Sequence, residues 1–202
     1  MNTTLITGRA ISLLLGYCFG CLLTAAIVIP KLTGRSPYKY GSHNPGAANV
    51  AANAGLPYGA LVLVGDVVKS VIPCVIAYSL FGDCIGRIVI MYAGLGAVLG
   101  HNYPFWHRFK GGKGVAATCT SIIFYAPLAG TLSSAAGLLC ILVTGFLPLG
   151  AIVIPAVFTV VAFLTLGAEC GLLSLASLIL MLIAHREGLR KVRDGEELKK
   201  FR

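Results

Sequence analysis

From Gly114 to Ala168 the chain runs for 55 residues without a single Asp, Glu, Lys or Arg. A soluble domain carries about 25 % charged residues, spread over its surface. Here only 11 % of the whole chain is charged and 57 % is hydrophobic, with a mean hydropathy of +0.87. Such a chain has to place its apolar length in a bilayer, so the expected class is an all-α polytopic membrane protein forming one domain over residues 1–202. The net charge of +9 does not then call for nucleic acid as a partner. A membrane protein collects Lys and Arg in its cytoplasmic loops, and that bias alone accounts for the excess.

Charge that does occur between apolar runs divides the chain. An apolar run, Ala10 to Ile29, is long enough to span and is expected to end at Pro30-Lys31, as a retained first span rather than a cleaved signal. Its Gly16-x-x-x-Gly20 spacing suits close helix contact. A polar stretch, 31–53, carries Lys31, Arg35 and Lys39. A second span is expected over 56–80, a break over 81–86 and a third span over 87–100. A basic stretch follows, then the long uncharged run. From His185 the tail is polar, with Arg186, Arg190, Lys191, Arg193, Lys199, Lys200 and Arg202.

Parity sets the number of crossings. If the two basic loops and the tail all face the cytoplasm, the N-terminus lies outside, the C-terminus inside, and an even number of spans separates residue 113 from the tail. Residues 114–184 would make about 106 Å of helix at 1.5 Å per residue, and a crossing needs about 30 Å. Four short spans fit, for a total of about seven. Breaks are expected near Pro127–Ser134, Pro148–Gly150 and Gly167–Gly171. Re-entrant segments would lower the count to five with the same parity.

Three polar stretches fall on the same side. Gly41-Ser42-His43-Asn44-Pro45-Gly46-Ala47-Ala48-Asn49 combines short polar side chains with glycines that let backbone N–H groups converge on a phosphate, although Asn-Pro-Gly is also plain turn chemistry. Residues 101–114 pack His101, Asn102, His107, Arg108, Lys110, Gly111, Gly112, Lys113 and Gly114 between apolar flanks. Gly111-Gly112-Lys113-Gly114 resembles a phosphate loop, but the residue after the lysine is Gly where a nucleoside triphosphatase needs Ser or Thr. A helix opening at Val115 leaves free N–H groups for an anion, and Lys113 adds a full charge. The third stretch, from His185 through Arg186 and Glu187, lies at the membrane level of His101. By itself it reads as a snorkelling helix end. Inside the second span, Asp66 and Lys69 share a face at i and i+3 and can pair. Such intramembrane charges serve function or pin a loop.

Other chemistries are excluded by what is missing. No histidine is followed by an aspartate four or five residues on, and no Gly-x-Ser-x-Gly elbow occurs. Seven cysteines are dispersed through apolar runs. Cys18-x-x-Cys21 lies inside a span with no second pair or histidine to complete a metal site. No metal and no cofactor is implied.

Taken in order, Gly41-Ser42-x-Asn44-x-Gly46-Ala47-x-Asn49-Val50, Asp66-x-x-Lys69, Gly100-His101-Asn102-x-Pro104, Phe109-Lys110-Gly111-Gly112-Lys113-Gly114-Val115-Ala116 and His185-Arg186-Glu187 with Gly195 and Glu197 resemble the bacterial acyl-phosphate:glycerol-3-phosphate acyltransferase family (PlsY type). The resemblance covers nearly the whole chain. It implies a seven-span protein of the bacterial plasma membrane with its active site on the cytoplasmic face. It implies acyl transfer from acyl phosphate to the 1-hydroxyl of glycerol 3-phosphate, giving lysophosphatidic acid for phospholipid biosynthesis. A soluble enzyme that makes acyl phosphate would be a partner. By the same resemblance Ser42, His101, Lys113 and His185 act in catalysis. Ser42, His43, Asn44, Gly46, Asn49, Gly111, Gly112 and Lys113 form the phosphate-binding set, and Asp66, Lys69, Asn102 and Glu187 are structural. The sequence departs from the family pattern at His43 (usually Gly), Ala48 and Ala117 (Thr), Ala52 and Ala184 (Arg) and Gly188 (Asn). Two other expectations fit these residues: a divergent, weak or inactive paralogue, or a transporter that binds an anionic lipid headgroup.

Overall fold

The computed structural model describes residues 3–197 and, over them, is built from helices with no strand. Lys199, Lys200 and Arg202 of the basic tail lie outside the described residues. The helices are α1 (Thr3–Gly20), α2 (Thr24–Thr33), α3 (Ala47–Ala54), α4 (Leu56–Ile85), α5 (Ile88–Asn102), α6 (Val115–Tyr125), α7 (Pro127–Thr144), α8 (Leu147–Val161, continued by a π turn over Ala162–Leu166) and α9 (Ala168–Arg193). Among the described residues five helical stretches are long and apolar enough to cross a membrane: Thr3–Thr33, Leu56–Ile85, Pro127–Thr144, Leu147–Leu166 and Ala168–Arg193. The helices α5 and α6, with 15 and 11 residues, are shorter than hydrocarbon thickness requires.

They nevertheless run antiparallel between the same two ends. Arg87, just before α5, donates to the carbonyls of Phe124 and Tyr125 at the end of α6. At the opposite end Gly114, opening α6, lies against Asn102, closing α5. Large apolar side chains such as Leu128, Val143 and Leu164 face outward, each more than 70 % exposed, as lipid-facing residues do. The interior is closed by small residues. Gly16 and Gly20 of α1 lie directly on the backbone of Ala93 and Ala97 in α5, where a Cβ would collide with both carbonyls. The Gly-x-x-x-Gly spacing is thus a helix contact, as expected.

Several boundaries differ from the sequence reading, for identifiable reasons. The first span is not one helix over 10–29. It breaks at Cys21–Leu23, and the two carbonyls released there are taken by distant donors: Trp106 Nε1 to Cys21 O (2.6 Å) and Lys69 Nζ to Leu22 O (2.9 Å). A break inside a membrane protein is tolerated where its freed backbone groups are re-satisfied in this way. Nor does Pro30 end the span; α2 continues to Thr33 and stops at the left-handed Gly34. Helix α4 runs past the expected break and carries Asp83 inside it, ending only at Gly86. In the long uncharged run the turns precede the prolines instead of following them. Pro127 is the first residue of α7 and Pro148 the second of α8, within the first turn, where a missing N–H costs nothing. The third break falls at Gly167, where it was expected.

Candidate active site

A cavity of about 880 Å³ opens at the end of the bundle where the basic stretches meet. Its polar end is formed by Asn44, Asp66, His101, Lys113 and His185; its walls continue over Leu63, Val67 and Val71 of α4 and Cys119, Ile123 and Phe124 of α6. One cavity therefore joins a charged mouth to an apolar groove between helices.

The first loop is organised by Asn49, buried on α3. Its Oδ1 accepts from the Ser42 backbone N–H (2.9 Å), and its Nδ2 faces the carbonyls of Pro37, Tyr40 and Asn44 at 2.9–3.3 Å. Asn44 and Gly46 thereby reach the cavity wall. Ser42 and His43 are exposed beside it; His43 is held at φ 55° with its Nδ1 donating to Tyr38 O. Tyr38 also clamps this loop to the second, donating to Lys110 O (3.1 Å) and stacking on His107. Partial burial pushes its hydroxyl up to about 12, so it stays protonated and donating at neutral pH.

In the second stretch, Gly111 and Gly112 donate their N–H groups to Asn102 O and His101 O, folding the loop back on the last turn of α5. Gly112 lies so close to His101 that a Cβ would strike the ring Nε2. Gly114, at φ 79°, turns the chain into α6 and leaves Lys113 on the cavity wall. Gly111 and Gly112 shape the mouth from behind rather than lining it. Asn102 is buried, with neither side-chain atom hydrogen-bonded.

Beneath the mouth Asp66, Lys69 and His101 form one buried cluster, each at most 5 % exposed. Lys69 Nζ lies 2.9 Å from Asp66 Oδ1 and 2.8 Å from His101 Nδ1, and Thr24 donates to the same Asp66 oxygen (3.2 Å). His185, buried on α9, donates from Nδ1 to Met181 O (3.0 Å), which in the neutral ring leaves the lone pair on Nε2; this buried atom has no hydrogen-bond partner. Glu187 is exposed and lies off the cavity. Thr24, Tyr38, Trp106 and the Leu22 carbonyl were not foreseen as parts of the site, because each acts through a partner at least 42 residues away. Among the described residues no group of three His, Cys, Asp or Glu side chains gathers as a metal site needs.

Fold and cavity together define a helical membrane protein with an anion-suited mouth leading into an apolar groove. Residues 10–195 match the family described as glycerol-3-phosphate acyltransferase, and the chain belongs to that family. It is 37 % identical over 179 residues to glycerol-3-phosphate acyltransferase 1 of Lactobacillus johnsonii, covering 89 % of this chain and 86 % of that one. It is 31 % identical over 186 residues to glycerol-3-phosphate acyltransferase 2 of Thermotoga maritima, covering 92 % and 93 %. Crystal structures of PlsY, an integral membrane glycerol 3-phosphate acyltransferase, superpose with TM-scores of 0.82 in the glycerol 3-phosphate form and 0.83 in the lysophosphatidic acid form. Both are 30 % identical, covering 97 % and 95 % of this chain and 95 % and 94 % of theirs.

Proposed function

We propose that the protein transfers a fatty acyl group from acyl phosphate to the 1-hydroxyl of glycerol 3-phosphate, releasing lysophosphatidic acid and inorganic phosphate. The observation that carries this is the single cavity that joins Asn44, His101, Lys113 and His185 to the α4–α6 groove, in a chain of this family. Both substrates are phosphorylated, and one carries a long apolar tail. The acyl chain lies in the groove, and its phosphate meets the loop of Ser42, His43, Asn44, Gly46 and Asn49, with Asn49 shaping that loop from inside. Lys113, presented by Gly111 and Gly112, binds substrate phosphate and stabilises developing charge, as a preorganised cation does. His101 and His185 orient the reacting oxygens. Asp66, Lys69, Asn102 and Glu187 support these elements.

No nucleophilic side chain is required, because an acyl phosphate is already activated. The 1-hydroxyl oxygen bonds to the acyl carbon, the bond from that carbon to the phosphate oxygen breaks, and phosphate departs with the electron pair. The hydroxyl proton passes to a substrate phosphate oxygen. As one domain crossing the bacterial plasma membrane about seven times, with its basic loops in the cytoplasm, the protein receives its donor from a soluble acyl-phosphate-producing enzyme. Purified protein given acyl phosphate and labelled glycerol 3-phosphate is expected to form lysophosphatidic acid. No product at high protein concentration, with substrate still bound, would sink the proposal and leave a non-catalytic binder.

A further inference from the structure

The ammonium group of Lys69 has three N–H donors and no acceptor. All three are engaged, by Asp66 Oδ1 (2.9 Å), Leu22 O (2.9 Å) and His101 Nδ1 (2.8 Å). A group that only donates makes the His101 Nδ1 an acceptor, so the neutral ring carries its proton on Nε2. That edge lies beside Gly112, and His101 lines the cavity. His185, in the same cavity, is held the other way round: Met181 O accepts a hydrogen bond from Nδ1–H, and in the neutral ring Nε2 is left as an acceptor. In their neutral forms the two imidazoles of one mouth are thus held in opposite tautomers, each set by a partner outside the cavity.

We propose that Lys69, anchored by Asp66 and the Leu22 carbonyl, is a positioning residue that fixes His101 as a hydrogen-bond donor through Nε2 to the substrate oxygen that gains negative charge during acyl transfer. The inference rests on the acyltransferase reading and adds a division of labour to it. As the hydroxyl oxygen bonds to the acyl carbon, the carbonyl π pair moves onto its oxygen, where the Nε2–H stabilises it without giving up its proton. The pair then returns as phosphate leaves. His101 is accordingly a donor, and the acceptor position in the mouth belongs to His185. The break at Cys21–Leu23 gains a purpose too, because it releases the Leu22 carbonyl that aims Lys69.

Nitrogen NMR of histidine-labelled protein in detergent reads the tautomer directly. Only four histidines are present, His43, His101, His107 and His185, and single His→Gln variants assign them. Wild-type protein is expected to show His101 protonated at Nε2 and bare at Nδ1, with His185 the reverse. In Asp66→Asn/Lys69→Met, which removes donor and charge together, His101 is expected to become a mixture of tautomers, and kcat to fall at least tenfold with a smaller change in KM. His101→Gln, whose amide N–H can stand where Nε2–H stood, is expected to keep at least tenfold more activity than His101→Leu. A wild-type His101 protonated at Nδ1, an unchanged spectrum and kcat in the double variant, or equal rates for Gln and Leu would each overturn the proposal. If a variant fails to fold, the wild-type spectrum still decides. If the wild type turns over no substrate, the acyltransferase reading falls, while the spectrum still tests the tautomer.

Discussion

Lys113 and Lys69 are 44 positions apart in sequence, near the same cavity, and have opposite tasks. Lys113 stands on the cavity wall, where a cation can meet a substrate phosphate. Lys113→Ala is expected to lower turnover about 100- to 1000-fold, as loss of a preorganised charge-stabilising group does. The variant should still elute as a folded species in detergent; normal rates would take Lys113 out of the site. Lys69 faces inward, and its ion pair with Asp66 is almost wholly buried. Removing one partner strands a charge, so Lys69→Met is expected to cost about 3–5 kcal/mol of stability. Asp66→Asn/Lys69→Met should recover most of that loss in a thermal melt, and a double variant no more stable than the single would mean that the pair is not what the charge depends on. Gly112 leaves no space for a methyl group beside the His101 ring. Gly112→Ala is therefore expected to displace the ring and lower kcat more than it lowers the melting temperature.

At the scale of the element, α3 and α9 carry four of the six departures from the family pattern, Ala48 and Ala52 on the one and Ala184 and Gly188 on the other. Ala48 lines the cavity and Ala52, one helical turn on, is exposed on α3. Because Ala52 is exposed, a long cation there displaces no packed atom. Ala52→Arg is expected to lower KM for glycerol 3-phosphate by about tenfold or more, since a charge-assisted hydrogen bond contributes about 1.5–3 kcal/mol. An unchanged KM would show that another residue already fills that role. Gly188 behaves differently. It is buried on α9, and a Cβ there would lie 2.7 Å from Pro148 Cγ at the start of α8. A proline ring cannot rotate away, and overpacking costs about 1–3 kcal/mol. Gly188→Asn is expected to lower the melting temperature without raising activity. Packing of α8 on α9 thus accounts for a glycine that the site alone does not explain.

At the scale of the molecule, the two ends of the bundle differ in kind. The end opposite the cavity is tied by Arg9 and Glu169, 2.6 Å apart and shared with Tyr92, but these side chains are 27 % and 42 % exposed. Surface pairs of this type contribute about 0–1 kcal/mol, so Arg9→Gln is expected to leave both stability and kcat nearly unchanged. The exposed Cys84 lies at the same end. In intact cells a membrane-impermeant thiol reagent is expected to label a variant whose only cysteine is Cys84 and to spare a cysteine placed at Lys110. The reverse pattern would invert the proposed topology.

Composition alone determined the class of protein, because a charge-free run of 55 residues has no stable place in water. Charge alone gathered the three polar stretches on one face, since hydrocarbon excludes them all equally. The phosphate-suited loops around Asn44 and Lys113 were legible because their chemistry is local: glycines, short polar side chains and a cation within a few residues. What required the tertiary structure was everything held together across the bundle. The first span breaks at Cys21–Leu23 because Trp106 and Lys69 accept the burden of its freed carbonyls, and no helical periodicity announces such partners. Helices α7 and α8 of the uncharged run carry Pro127 and Pro148 in their first turns rather than ending there. Above all, the sequence offered His101 and His185 as equals. Only the placement of Lys69 against one ring and of the Met181 carbonyl against the other makes the first a donor and the second an acceptor. The proton on an imidazole is assigned by its neighbours in space, not by its neighbours in the chain.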